Sequence, residues 1–267
     1  MNFYKSFSKF QKIFFIFFTT ASIITFLLPL FLGEGNIFSV FSPLGITGLI
    51  CTISGILVSI YTAKANISGY IWWIINTITL AIIALVSNLY GQFIENFFIV
   101  LPLVIYGFIA WKFHMSKEST NKISINTLTK KQWLYAIIVS IICFIAYAIF
   151  LDKLPLIFYK LFNFRIAADP QILLDSITAT LTIMAVFLTA KRYVAQWNFW
   201  IVSNSLGVIM FLIQTIHVGV INPSIFVGDL SNTLSLLQYL IGSIYGYIMW
   251  RRMYNEGKKS KLHLVTQ

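Results

Sequence analysis

The sequence contains eight apolar segments, each about as long as one membrane crossing, and this pattern limits the fold more than any other feature. A transmembrane helix needs about 20 apolar residues. Low-charge windows of that length lie at 13–32, 43–62, 70–90, 93–111, 133–151, 172–190, 197–217 and 231–250. Only 10% of the 267 residues are charged, against roughly 25% in soluble domains. The sequence predicts an all-α integral membrane protein with eight transmembrane helices; it argues against a soluble enzyme, and we expect lipid rather than nucleic acid as partner.

The loops between these segments assign an orientation. If the N-terminus is cytoplasmic, all but three of the 19 Lys and Arg residues fall on the cytoplasmic side. The exceptions are Lys153, Lys160 and Arg165, in the outer loop 152–171, part of which we expect to lie along the outer interface. Cytoplasmic loops carry the excess of Lys and Arg in multi-pass proteins. Both termini are therefore predicted to be cytoplasmic.

The chain also repeats itself. Thr62-Ala63-Lys64 returns 127 residues later as Thr189-Ala190-Lys191, and Ile105-Tyr-Gly-Phe-Ile-Ala-Trp-Lys112 returns as Ile244-Tyr-Gly-Tyr-Ile-Met-Trp-Arg251. The second copy is slightly longer, and the extra residues fit the outer segment Val218–Asp229. Each copy comprises three helices and runs from outside to inside, so the copies are parallel. Parallel repeats related by an axis along the membrane normal are a transporter architecture, with the substrate bound between them.

This repeat divides the chain into five parts, with one linker helix between the copies. The predicted parts are 1–42 (N-terminal helix and outer loop), 43–112 (first three-helix repeat), 113–171 (linker helix with flanking loops), 172–252 (second three-helix repeat) and 253–267 (cytoplasmic tail). Such a plan is compatible with a homo-oligomer.

The motifs of an enzyme are missing from the sequence. It contains no metal-binding His/Glu pair, nucleophile elbow or phosphate-binding glycine loop, so we expect no catalytic residues, no metal and no cofactor. Carboxylates near the midplane usually mark ion-coupled pumps. Glu95 and Asp175 lie near the ends of their segments instead, which favours uncoupled passage down a gradient.

The polar groups at depth are uncharged, and many lie beside aromatic residues. Gln196, Trp200 and Asn204 are spaced i, i+4, i+8 and share one face of the seventh helix. Aromatic faces and amides together can sandwich a flat ring and fix its polar edge. The predicted substrate-binding residues are Gln196, Trp197, Trp200, Asn204, Gln238, Tyr239, Trp73, Asn76 and Asn96.

Three features resemble the PnuC family of bacterial vitamin transporters. They are the parallel plan of three, one and three helices, Leu188-Thr-Ala-Lys followed by Gln196-Trp-x-x-Trp200-Ile, and the ending Ile244-Tyr-Gly-Tyr-x-x-Trp250. The similarity covers roughly 43–252 and leaves the first helix outside. It implies a SWEET-like fold, a place in the bacterial inner membrane and the uptake of a vitamin-like heteroaromatic compound. Nicotinamide riboside is the family's best-known substrate.

The resemblance also implies a mechanism and residue roles. Facilitated diffusion with alternating access is expected, while a cytoplasmic kinase traps the substrate by phosphorylation. The family's amide-Trp-x-x-Trp motif falls on Gln196, Trp197 and Trp200, although Asn is expected where this chain has Gln196. Gln238 and Tyr239 are the best matches to the aromatic contribution of the last helix.

Several alternatives stay open from the sequence. Relatives in the same family are assigned thiamine, riboflavin or deoxynucleosides. An intramembrane lipid-modifying enzyme would need an acid, base or metal at depth. A non-transporting subunit of a larger complex would bind none of these vitamins.

Overall fold

The computed structural model describes residues 3–33, 36–117, 123–169, 171–218 and 223–265, and its regular structure there is helical. A π-helical turn, Glu95–Val100, makes α5 and α6 one continuous helix. The α-helices are α1 (Lys9–Phe31), α2 (Ile37–Val40), α3 (Pro43–Ala63), α4 (Ser68–Val86), α5 (Tyr90–Ile94), α6 (Leu101–Lys117), α7 (Lys130–Phe162), α8 (Ile172–Ala190), α9 (Gln196–Val218) and α10 (Pro223–Val265).

Among the described residues, six helices are long and apolar enough to cross a membrane. They are α1, α3, α4, the continuous helix Tyr90–Met115, α7 and α8. Their outward faces are apolar as well: Ile137, Ile141, Ile145 and Ile149 form one stripe of α7, and each is at least half exposed. A soluble protein would cover such a stripe with polar groups, whereas lipid accepts it. The chain is built as a multi-pass membrane protein.

Two groups of helices carry the matched sequences and are called here the first unit (α3 to α6) and the second unit (α8 to α10). The units meet along two seams, α3 against α10 and α6 against α8. Lys64 and Lys191 cap the ends of α3 and α8. The tryptophans before Lys112 and Arg251 bond to those same helix ends, so all four cations lie at one end of the bundle, named the basic end. Glu95 and Asp175 lie near the opposite, acidic end, where α5 and α8 begin.

Helices α3 and α8 end in the same way at the basic end. Three backbone hydrogen bonds close the turn after Ala63, and the same three recur 127 residues later after Ala190. Ala65 and Arg192, at matched positions, both have left-handed backbone with φ of 51° and 64°. That conformation is costly for residues other than glycine, so the two units share an unusual turn as well as a sequence.

Helices α1 and α7 also resemble each other. Each begins at a capping box, Ser8 with Gln11 and Thr129 with Gln132, in which side chains satisfy the unpaired N–H groups of the first turn. Each contains Leu-Pro-Leu near its acidic end, at 28–30 and 154–156. Helix α1 packs on α3 and α10, while α7 packs on α8 and, through Tyr147 and its neighbours, on α5. Each helix thus lies beside one seam.

The boundaries predicted on the acidic side need correction. Helix α7 continues to Phe162, so the loop expected over 152–171 is much shorter. The helix persists through Pro155 because Leu154 is buried against Tyr147 and Ala179. The extra residues of the second copy, placed at Val218–Asp229, fall partly in α10, which begins at Pro223; residues 219–222 lie outside the described part.

Candidate substrate site between the two units

Two tryptophans from different units meet at the centre of the candidate site. Trp73 on α4 and Trp200 on α9 occupy matched positions, and their ring centroids lie 5.9 Å apart at 53°. At 1.5 Å per residue, Trp200 lies about 6 Å and Asn204 about 12 Å along α9 from its start. A flat ring stacked between two walls needs them about 7 Å apart. The two indoles would therefore have to separate slightly to hold a ring between them.

Between these tryptophans and the basic end lies a layer of aromatic rings. Tyr70 stacks on Trp73 at 5.8 Å and meets Trp111 edge-on at 5.0 Å. Trp111 lies 6.0 Å from Trp250, which meets Trp197 edge-on at 5.8 Å. Tyr70, Trp73, Trp111, Trp197 and Trp250 are all buried in one hydrophobic core. Together with Trp200, they are called the aromatic cluster.

Glycines on the third helix of each unit let this cluster close. A Cβ on Gly107 would lie 2.6 Å from the hydroxyl oxygen of Tyr70, and one on Gly246 would collide with the six-membered ring of Trp197. Gly107 and Gly246 are the glycines of the repeated Tyr-Gly sequence, and Tyr70 and Trp197 are also at matched positions. The same packing device therefore operates in both units.

Gln196 is fully buried at the first turn of α9. Its amide oxygen pairs with the hydroxyl of Thr189, which also lies 2.7 Å from the carbonyl of Ala185. The amide nitrogen is buried with no hydrogen-bond partner among the described residues. Such groups are rare in native proteins and call for an explanation. One amide atom of Gln196 is therefore held by Thr189, and the other has a hydrogen bond to spare.

A polar network lies on the acidic side of the cluster. The hydroxyl of Tyr239 donates to the amide oxygen of Asn76 (3.3 Å), and the amide nitrogen of Asn76 donates to the carbonyl of Cys51 (2.8 Å). The hydroxyl of Tyr239 lies against Gly55, where a Cβ would leave it no room. Cys51 is buried, and its backbone carbonyl orients an amide of the network.

The same network reaches across both α3 and α9. Gln238 donates from its amide nitrogen to the hydroxyl of Ser59 on α3 (2.7 Å). Asn204 donates to the hydroxyl of Ser243 (3.2 Å), which in turn donates to the carbonyl of Tyr239 (2.6 Å). Amides in hydrocarbon are costly unless paired, and these bonds pair them while fixing α10 against α3 of the first unit and α9 of its own unit.

The structure therefore brings eight of the nine predicted residues together. Asn96 is the exception, because its amide donates to the carbonyl of Gln92 in its own helix (2.9 Å) and no described bond joins it to the others. Ser59, Ser243 and Thr189 were missed, since single hydroxyls in apolar helices are common and commonly bond their own backbone. The signal for Thr189 was present in the repeated Thr-Ala-Lys.

The charged side chains of the basic end lie outside the aromatic cluster, and two of them are held by hydrogen bonds. Lys191 donates to the hydroxyl of Tyr106 (2.7 Å), and Lys64 donates to the carbonyl of Ser6 (2.7 Å). Partial burial lowers the pKa of Lys64, because burial penalises the charged form. At the acidic end, a surface hollow of about 390 Å³ lined by Asp169 and residues 171–174 lies a helix length from the aromatic cluster.

A comparison with known protein families shows to which family this chain belongs. The sequence profile described as Nicotinamide mononucleotide transporter matches residues 45–252. The chain belongs to this family. The matched range is close to the range of 43–252 predicted from the sequence, and the predicted PnuC relationship is confirmed.

Relatives within the nicotinamide mononucleotide transporter family span most of the chain. The nicotinamide riboside transporter PnuC of Neisseria mucosa is 28% identical over 229 residues, covering 85% of this chain and 80% of that protein. The protein of the same name from Haemophilus influenzae is 27% identical over 206 residues, covering 77% and 79%. Membership makes the chain a multi-pass membrane transport protein and supports a carrier rather than an enzyme.

A solved structure of the family shares the fold. The crystal structure of the vitamin B3 transporter PnuC superposes with a TM-score of 0.68 over 94% of each chain, at 23% identity. That coverage is more than the chain could supply without α1. At least part of α1 therefore belongs to the shared fold, although the family profile begins after it.

Proposed function

We propose that this protein carries nicotinamide riboside across the membrane by facilitated diffusion with alternating access. The observation that carries the proposal is the contact between Trp73 and Trp200, one from each unit, next to the amide network on the acidic side of the cluster. The relatives from Neisseria mucosa and Haemophilus influenzae, both named nicotinamide riboside transporters, favour the same substrate.

The chemistry of nicotinamide riboside fits these groups. Its pyridinium ring carries a fixed positive charge, and indole faces attract such cations as well as stacking on flat rings. The free amide atom of Gln196 can pair with the carboxamide on the ring. Tyr239, Asn76 and Asn204 can exchange hydrogen bonds with the ribose hydroxyls.

The network also favours the riboside over its phosphorylated form. A phosphate dianion in a dry site needs Arg or Lys partners. The described side chains that form the network are neutral, namely those of Ser59, Asn76, Asn204, Gln238, Tyr239 and Ser243. The ribose of the unphosphorylated compound presents only hydroxyls to this neutral lining.

The proposed architecture has eight spans: α1, two parallel three-helix repeats at 43–112 and 172–252, and the linker helix α7. Helices α9 and α10, with 23 and 43 residues, supply the length for the last two spans. The matched turns after Ala63 and Ala190 support the parallel relation of the repeats. We place the protein in the bacterial inner membrane, with the basic end and both termini in the cytoplasm.

Transport in this proposal needs no ion gradient, since the site is neutral. A cytoplasmic kinase that phosphorylates the riboside would make uptake unidirectional, because the product no longer fits a lining without cations. The kinase is a metabolic partner and needs no contact with the carrier.

Uptake into proteoliposomes tests the proposal. Purified protein is reconstituted, and the entry of labelled nicotinamide riboside is compared with that of thiamine, riboflavin and a deoxynucleoside. We expect saturable riboside uptake that persists when sodium and proton gradients are collapsed. Uptake of one of the others instead would assign that substrate. No uptake of any, together with no thermal stabilisation by any, would favour a non-transporting subunit.

A further inference from the structure

The repeated Tyr-Gly-x-x-x-Trp and Thr-Ala-Lys sequences are joined across the two units by hydrogen bonds. The indole nitrogen of Trp111, at the end of the first unit, donates to the carbonyl of Thr189 in the second unit (3.0 Å). The indole nitrogen of Trp250, at the end of the second unit, donates to the carbonyl of Thr62 in the first (2.8 Å). Each unit thus supplies a donor to the other unit and an acceptor for it.

Both acceptors are built by the unusual turns that end α3 and α8. The carbonyls of Thr62 and Thr189 already accept a backbone N–H, from Ala65 and Arg192, and the indole uses the second lone pair. Those N–H groups come from the two residues with left-handed backbone. The costly turns therefore present a helix-end carbonyl to the opposite unit in each case.

The two bonds close the candidate site on the side that faces the basic end. Trp111 and Trp250 are almost completely buried and lie 6.0 Å apart. They contact Tyr70 and Trp197, which sit one helical turn closer to the basic end than Trp73 and Trp200. A molecule leaving the site towards the basic end has to part these rings.

The closed side also leaves polar atoms without partners. The hydroxyl of Tyr70 and the indole nitrogen of Trp197 are buried with no hydrogen-bond partner in the described part of the chain. An unmade bond of this kind costs stability, and exposure to water would recover it. The closed arrangement is therefore opposed by groups at its own centre, as expected for an element that must also open.

We propose that Trp111 and Trp250 are the two latches of one gate at the basic end, closed in this structure, which must open together to release substrate. The gate deepens the proposed transport function and rests on it for its role in uptake. Its coupling does not rest on any substrate: the latches hold the same two units, so weakening either one loosens both turns.

Hydrogen–deuterium exchange on the full-length protein without substrate tests the coupling. Trp111→Phe and Trp250→Phe keep an aromatic ring and remove the N–H donor. We expect each single variant to speed exchange about tenfold, through more frequent opening, at residues 64–66 and also at 191–193. Trp133→Phe is the matched control, because Trp133 stacks on Phe199 at the same end without joining the units, and it should change neither turn.

A purely local packing role gives a different pattern. Each variant would then speed exchange only at the turn whose carbonyl has lost its indole donor, and that result would overturn the gate. Uptake by the parent is measured in parallel. Coupled exchange in the variants, together with no riboside transport by the parent, would refute the proposed substrate and leave the gate standing. Riboside transport by the parent, together with faster exchange at only one turn in each variant, would refute the gate alone.

If a single variant fails to fold, Trp111→His and Trp250→His replace it, since a ring nitrogen that carries a proton can still donate. Partial recovery of slow exchange at both turns, relative to Ala at the same position, is expected from the gate. Recovery at one turn only would contradict it.

Discussion

The two units of this transporter are alike at the basic end and different at the substrate site. At the basic end they share the turn after α3 and α8, the tryptophan that bonds to it and the glycine that admits an aromatic ring. Among the predicted substrate-binding positions, the second unit carries Gln196, Asn204 and Tyr239, where the first has Gly69, Thr77 and Val100 at matched positions.

This difference separates two tasks. The hydrogen bonds between the units use residues that both copies share, and the proposed substrate recognition uses residues that differ between the copies. Gly69 shows the divergence most directly, because it lies against Thr62 just as the amide of Gln196 lies against Thr189. Only the second unit has a side chain there, so we expect equal effects from matched changes in the closure and unequal effects at the site.

The largest effect is expected at the two central tryptophans. Trp200→Ala removes a stacking wall and its buried contact area, which should weaken riboside binding by about 2–4 kcal/mol, about 30- to 1000-fold. Trp73→Ala should weaken binding too, since the two rings lie 5.9 Å apart. Calorimetric titration of the purified variants measures both. Parent-like affinity in the folded Trp200→Ala variant would move the site elsewhere.

Matched glycine substitutions should lower stability by similar amounts. Gly246→Ala and Gly107→Ala each push a Cβ into a buried ring, and overpacking of this kind costs about 1–3 kcal/mol. Thermal unfolding in detergent measures the loss. Gly48→Ala is the control, because a Cβ there meets nothing within 4 Å. A loss confined to one of the two variants would show that the packing is not shared.

The next largest effect is expected at Gln196, whose amide has no counterpart in the first unit. Gln196→Ala should weaken riboside affinity by about 1–3 kcal/mol, because a polar edge of the substrate loses its partner. Gln132→Ala, which removes an exposed amide from the capping box of α7, should leave affinity unchanged. Equal affinity of the Gln196→Ala variant and the parent would mean that the buried amide only ties α9 to α8.

The smallest effect is expected at the rim of the network. Tyr239→Phe removes the hydrogen bond to Asn76, which should weaken binding by about 0.5–1.5 kcal/mol. Tyr245→Phe is the control on the same helix, because its ring stacks on Phe10 of α1 instead. An effect from Tyr245→Phe as large as that from Tyr239→Phe would indicate that α10 responds as a whole.

Much of the fold could be predicted because the decisive signals are local. Apolar runs of membrane length show where α1, α3, α4, α7 and α8 lie, and the bounds of α8 agree with the prediction at both ends. The acidic end was less predictable. Asp152, Lys153 and Pro155 suggested that α7 had ended, whereas the burial of Leu154 keeps it helical for another three turns.

The candidate site was predictable only as a set of residue types. Helical spacing shows that Gln196, Trp200 and Asn204 share a face of α9, because a 3.6-residue period fixes which side chains lie in line. It does not show which helix that face meets. The spacing argument therefore gave no sign that Asn204 bonds to Ser243 or that Asn96 bonds within its own helix.

The sequence by itself determined that this chain crosses a membrane repeatedly, that it contains two segments of similar sequence and that it belongs with the vitamin carriers. Tertiary structure alone decided that Trp111 bonds to Thr189 and Trp250 to Thr62. The reason is that hydropathy and periodicity depend on neighbours along the chain, whereas these bonds join residues 78 and 188 positions apart. A repeated motif shows that a contact is made twice, and only the packing of the helices shows that each unit makes it with the other.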